Sequence, residues 1–238
     1  MENYKNNVEF IKNEFGKYFV KISHEDNILQ GTKYAGSHTN CRSCLYTITK
    51  MLKPNYVLEI GSYHYDTSNA ISKAMDENGY GKVDSFDIKI GGYDGVYVKS
   101  NSHRISENYW YPFHSKYDDW KYTNEIVYGD FKNMNNDEIL EKNIEILNKV
   151  SGGNKYDIIF IDGDHGYTGV KMDFEIAKLF SHENTLIVVD DIWDIRLNDV
   201  RVFFDELDVI KYDFEDWNDK HIEDDIVQNI GIISLKNK

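Results

Sequence analysis

Cysteine and proline are scarce in this chain, with two of each among 238 residues. Two cysteines cannot staple a chain of this length, so a disulfide scaffold is excluded. No low-complexity linker interrupts the chain, and no composition shift marks a domain boundary. Long apolar runs are missing too: nothing approaches the roughly 20 residues that cross a bilayer. The N-terminus, Met1-Glu2-Asn3-Tyr4-Lys5, leads into no apolar segment of the kind that directs secretion. Runs of Lys and Arg are absent as well. Basic side chains number 27 against 41 acidic ones, for a formal net charge of -14. Such a surface repels phosphate backbones and anionic membranes, so neither nucleic acid nor a membrane is expected as a partner. The plain expectation is a single cytoplasmic domain over residues 1–238.

Hydrophobic residues make up 41% of the chain and aromatics 14%, enough for a sizeable core. Short apolar runs recur, each ending in polar or glycine residues. They are Tyr56 to Ile60, Val83 to Asp87, Glu125 to Tyr128, Tyr156 to Ile161 and Thr185 to Val189. Ile158 to Ile161 are apolar on both alternating faces, as expected of strands covered by helices on both sides. Helical patterns fill the gaps: Asp66 to Asn78 stopped by Gly79 and Gly81, Asn136 to Val150, and Tyr167 to Phe180. Alternation of this kind predicts an α/β fold, a doubly wound and mostly parallel sheet. A helix around Asn198 to Leu207 precedes two strands, Val209 to Phe214 and Asn229 to Leu235, with no helix between them. They predict an antiparallel C-terminal hairpin that completes seven strands. Residues 4–20 and 39–52 carry helical spacing, so residues 1–52 read as an N-terminal helical cap. Residues 89–123 break the alternation and are crowded with rings, among them Tyr109, Trp110, Tyr111, Phe113 and Trp120. They could wall a substrate pocket, pack on the core, or meet a second copy of the chain in a homo-oligomer.

In an open α/β sheet, ligands bind beyond the carboxyl ends of the strands. The first strand ends in Glu59-Ile60-Gly61-Ser62-Tyr63, where Gly61 permits a tight turn into a helix N-terminus suited to an anionic group. Asp87 ends the second strand at about the spacing at which an acidic residue accepts ribose hydroxyls. Gly129-Asp130 ends the third. The sharpest set is Asp162-Gly163-Asp164-His165 after the fourth strand, with Asp190-Asp191 after the fifth. Neighbouring strands would bring Asp162, Asp190 and Asp191 together, and three carboxylates at close range call for a cation. An all-oxygen set suits Mg²⁺, with Mn²⁺ or Ca²⁺ as alternatives, better than zinc. His165 is placed to accept a proton near neutral pH. Asp164 reads either as a supporting residue or as a turn. Cys41-Arg42-Ser43-Cys44 lacks the second ligand pair of a zinc knuckle and reads as two partly buried thiols on a helix.

The segments Val57 to Tyr63, Asp87, Tyr156 to Tyr167 and Val188 to Asp191 together resemble the class I S-adenosylmethionine-dependent methyltransferases. Phe160 to Tyr167 is similar to the small-molecule O-methyltransferases of the macrocin and cephalosporin-biosynthesis type. The resemblance covers roughly residues 50–191, apart from the ring-rich segment. It implies a Rossmann-like methyltransferase fold with S-adenosylmethionine held by Glu59, Gly61, Ser62, Tyr63 and Ser68. Asp87 would bind the ribose and Asp130 would lie by the adenine. Asp162 would serve cofactor, catalysis and metal alike. Asp162, Asp190 and Asp191 would carry a divalent metal, Mg²⁺ by expectation, and His165 would be the general base. The implied activity is O-methylation of a small hydroxylated metabolite such as a sugar or glycosylated natural product. Tyr65 departs from the family, which has glycine there. It motivates an alternative, a binding or assembly protein that keeps the fold without catalysis.

Overall fold

The computed structural model describes residues 7–19, 39–61, 66–87, 123–127, 135–193, 198–214 and 230–236. In chain order the elements are α1 (Asn7–Tyr18), α2 (Thr39–Leu52), β1 (Tyr56–Ile60), α3 (Asp66–Asn78), β2 (Lys82–Asp87) and β3 (Thr123–Val127). There follow α4 (Asn136–Ser151), β4 (Tyr156–Ile161), α5 (Tyr167–Phe180), β5 (Ser181–Val189), α6 (Asn198–Glu206), β6 (Ile210–Asp213) and β7 (Gly231–Ser234).

These strands form one mixed sheet in the order β3-β2-β1-β4-β5-β7-β6. β1, β2, β3, β4 and β5 pair in parallel, while β7 runs antiparallel to both β5 and β6. The chain leaves β1 toward β2 and β3, then returns to lay β4 on the other side of β1. That reversal puts a topological switch point between β1 and β4, where open α/β sheets bind their ligands.

Strand alternation divides the core into two layers. Val57, Ile158, Phe160, Leu186 and Val188 cluster with Val8, Ile11 and Phe15 of α1, Cys41, Cys44 and Leu45 of α2, and Ile71 and Met75 of α3. Leu58, Ile60, Ile159, Ile161, Ile187 and Val189 cluster with Leu147 of α4, Val170 and Phe174 of α5, and Val200 and Phe203 of α6. Both faces are thus covered, and the central strands can be apolar throughout. Among the described residues no helix is long and apolar enough to cross a membrane.

β5 begins earlier than the apolar run suggests. Tyr156 pairs with Ser181 across a register shift before Ile158 meets Leu186. Thr185 bridges the irregularity, donating from Oγ1 to the Tyr156 carbonyl at 2.6 Å and accepting from the His182 N–H at 2.8 Å.

Candidate functional site

At the switch point the register sets Ile60 beside Ile161 and Ile161 beside Val189. The residues that follow, Gly61, Asp162 and Asp190, therefore share one edge. Gly61 takes φ +89°, and a Cβ there would stand 1.9 Å from the Asp162 carbonyl oxygen. Only glycine permits this approach. The Asp162 N–H donates to the Ile60 carbonyl at 2.8 Å, and the Asp190 N–H to the Ile161 carbonyl at 3.0 Å. Backbone bonds thus hold the three strand ends in a fixed relation.

Glu59 has no solvent exposure. Thr67 donates to its Oε1 and Ser68 to its Oε2, and Ser68 Oγ lies 2.6 Å from Ser85 Oγ on β2. Burial raises the Glu59 carboxyl to about 7, against the lowering pull of the Ser68, Thr67 and Ser85 hydroxyls.

Asp162, His165 and Asp191 converge. His165 Nε2 lies 3.3 Å from Asp162 Oδ1 and 3.4 Å from Asp191 Oδ2, and one ligand atom from each residue falls within 4.8 Å of the other two. Donors bound to one ion at about 2.0–2.2 Å sit roughly 3 Å or slightly more apart, and the two distances from His165 match that spacing. The set is two carboxylates and one imidazole rather than three carboxylates, which admits Mn²⁺ or a neighbouring first-row ion beside Mg²⁺. The hydrogen bond to Asp162 raises His165 to about 9; burial opposes the shift, and the charges of Asp162, Asp191 and Asp190 reinforce it. At neutral pH the ring is therefore an imidazolium that neutralises the carboxylates around it.

Asp190 is not one of the converging three. Val188 faces the α1–α3 layer and Val189 the α4–α6 layer, so alternation returns Asp190 to the first. There the Cys41 thiol of α2 donates to it, and its Oδ1 accepts the Asp191 N–H at 2.9 Å. Burial, together with the charges of Asp162 and Asp191, holds Asp190 well above the usual carboxylate range. Asp191 adopts a left-handed φ of +58°, uncommon outside glycine.

Asp164 resolves as a turn residue. Its Oδ1 accepts the Gly166 N–H at 3.1 Å, and a Cβ on Gly169 would meet its side chain at 2.2 Å. The loop from β4 is thereby tied to the first turn of α5. Gly163 likewise allows Asp173 of α5 to approach, with Oδ2 2.4 Å from where a Cβ would be.

Glu59, Gly61, Ser68, Asp162, His165, Asp190 and Asp191 all fall at this edge. Asp87 closes β2, its backbone in register with Val127. Ser62, Tyr63, Tyr65 and Asp130 lie outside the described residues, as does the ring-rich segment apart from residue 123. Thr67, Ser85 and Cys41 belong to the site's supports but were not singled out from the sequence as such. Thr67 had a signal, since a hydroxyl in the first turn of a helix after a glycine turn often bonds locally. Cys41 had none, because its partner lies across the sheet edge.

The family pattern described as a methyltransferase domain matches residues 58–192. Among curated proteins none matches. Among solved structures, the O-methyltransferase TomG of Streptomyces achromogenes, involved in tomaymycin synthesis and bound to SAM, is 16% identical. It aligns over 98% of each chain with a TM-score of 0.55. An O-methyltransferase of Bacillus cereus in complex with SAH is 13% identical over 96% of this chain and 98% of its own, with a TM-score of 0.57. The SAH-bound methyltransferase PaMTH1 of Podospora anserina is 13% identical over 100% and 98%, with a TM-score of 0.55.

Proposed function

The chain belongs to the methyltransferase-domain family, a group of class I S-adenosylmethionine-dependent enzymes, and from this premise we propose that it methylates a hydroxyl oxygen of a small metabolite. One observation carries the reading: Asp162, His165 and Asp191 converge directly beside the Gly61 turn at the switch point. The methyl donor and the acceptor oxygen would therefore meet at one strand edge. That TomG and the Bacillus cereus protein are O-methyltransferases bound to SAM and SAH supports both the cofactor and the acceptor atom. The likeness of residues 160–167 to enzymes of the macrocin type favours a sugar or glycosylated natural product as acceptor.

In this reading Gly61, Ser62, Tyr63 and Ser68 line the methionine end of the cofactor, Asp87 its ribose and Asp130 its adenine. The sulfonium methyl is already electrophilic, so the protein's main task is to aim an oxygen at it in line. Asp162 and Asp191, with His165 beside them, fit a divalent cation, which would hold the acceptor's oxygens and lower the pKa of its hydroxyl. A cation held by Asp162 and Asp191 alone would leave His165 Nε2 free to take the hydroxyl proton. Because the His165 pKa lies at about 9 without a cation, the free ring is protonated at neutral pH and must lose that proton before it can act as a base.

Calorimetric titration with S-adenosylhomocysteine, with and without Mg²⁺ or Mn²⁺, tests the proposal, and no binding under any of these conditions would sink it. His165→Ala should lower turnover by roughly 10²- to 10⁴-fold while keeping cofactor affinity. Undiminished turnover would remove His165 from the chemistry.

A further inference from the structure

Glu59 stands two residues before Gly61, at the point where the proposed cofactor's amino-acid end would lie, yet solvent does not reach its side chain. Both carboxylate oxygens are engaged, Oε1 by Thr67 and Oε2 by Ser68. Those two residues occupy the first turn of α3, and Ser68 passes the connection on to Ser85 of β2. Thr67, Ser68 and Ser85 are themselves buried. One carboxyl group therefore ties the end of β1, the start of α3 and the middle of β2 together beside Gly61.

We propose that Glu59 is a positioning residue which, through the hydroxyls of Thr67 and Ser68, fixes the first turn of α3 and so presets the Gly61 turn for the cofactor. The inference rests on the proposed function and departs from the direct cofactor contact that the family resemblance implies for Glu59. A turn already held in its binding shape loses less freedom when the ligand arrives, which strengthens binding without any new contact. The role needs hydrogen-bonding capacity rather than charge. A carboxyl that burial lifts to about 7 fits that need, whereas a direct ion pair with an ammonium group would require the anion.

Titration with S-adenosylhomocysteine separates the two roles. Glu59→Gln keeps one acceptor and gains one donor, to which a hydroxyl can rotate, and should bind within about threefold of the wild type. Glu59→Ala should weaken binding by about tenfold or more, and Thr67→Val, which removes one of the two hydroxyls that hold the carboxyl, by about fivefold or more. Their kcat at saturating S-adenosylmethionine should change little, since the acceptor-side groups are untouched. If Glu59→Gln loses as much as Glu59→Ala, the group acts by charge and the inference is wrong. Wild-type affinity in Thr67→Val overturns it equally. Should Glu59→Ala fail to fold, Glu59→Gln and Thr67→Val still decide the matter. A wild-type protein that binds no S-adenosylhomocysteine overturns the proposed function itself, whereas the pattern among variants bears on Glu59 alone.

Discussion

A single methyl group is too much at Gly61. Its φ of +89° and the 1.9 Å gap to the Asp162 carbonyl leave an alanine no accommodation short of pulling β1 and β4 apart. Gly61→Ala should destabilise the protein by about 2 kcal/mol or more in urea unfolding, and stability near that of the wild type would mean that the strand ends are not locked. Glu59 makes a second prediction, about pH. Its folded pKa, about 7, stands above the 4.5 usual for a glutamate. Between those values the folded state holds a proton that the unfolded chain has released. Stability from this group therefore falls as pH rises from about 4.5 to about 7, by at most about 1.4 kcal/mol per unit, and is flat above. Glu59→Gln should remove that slope in urea titrations at a series of pH values; an unchanged slope would assign it to other groups.

Helix ends show how local chemistry supports the site without entering it. Asn135 caps α4, accepting the Glu138 N–H at 3.0 Å, while Glu138 accepts the Asn135 N–H at 2.8 Å. Gly152 ends the helix at φ 60°. The apolar stripe and the Gly pair made this helix legible in the sequence, whereas Asn135 with Glu138 three residues later was a start signal not singled out there. Asn135→Ala should cost about 1 kcal/mol in chemical unfolding, and affinity for S-adenosylhomocysteine should not move. A change in affinity would show that α4 reaches the site. α5 is started differently, by Asp164 bonding the Gly166 N–H and resting against Gly169. Sequence alone left Asp164 between a turn and a supporting role, since an Asp just before a helix is compatible with both.

For the molecule as a whole the dominant electrostatic fact is the charge of -14. Like charges repel more strongly in the compact state than in the expanded one. Raising ionic strength from about 0.01 M to 0.15 M shortens the screening length from about 30 Å to about 8 Å. The thermal midpoint should rise over that range, most steeply at the low end, as scanning calorimetry would record. A midpoint that fell with salt would mean that attractive surface pairs outweigh the excess charge.

The order of strands and helices could be read from the chain because hydrophobic burial imposes its own period. Runs such as Ile158 to Ile161 can be apolar on both faces only when both faces are covered, and glycine and capping residues mark where each run stops. The polar strand ends at Glu59, Asp162 and Asp190 were equally visible, and parallel alternation required that they share an edge. Which side chains meet there was decided only in three dimensions. The sequence suggests three carboxylates, Asp162, Asp190 and Asp191. Packing turns Asp190 back toward Cys41 of α2, and His165 takes the third place beside Asp162 and Asp191. Strand alternation from Val188 could have shown which way Asp190 faces. The thiol waiting there belongs to a helix some 150 residues away in the chain, and the side chains that close a site are set by such long-range packing, which leaves no local period to read.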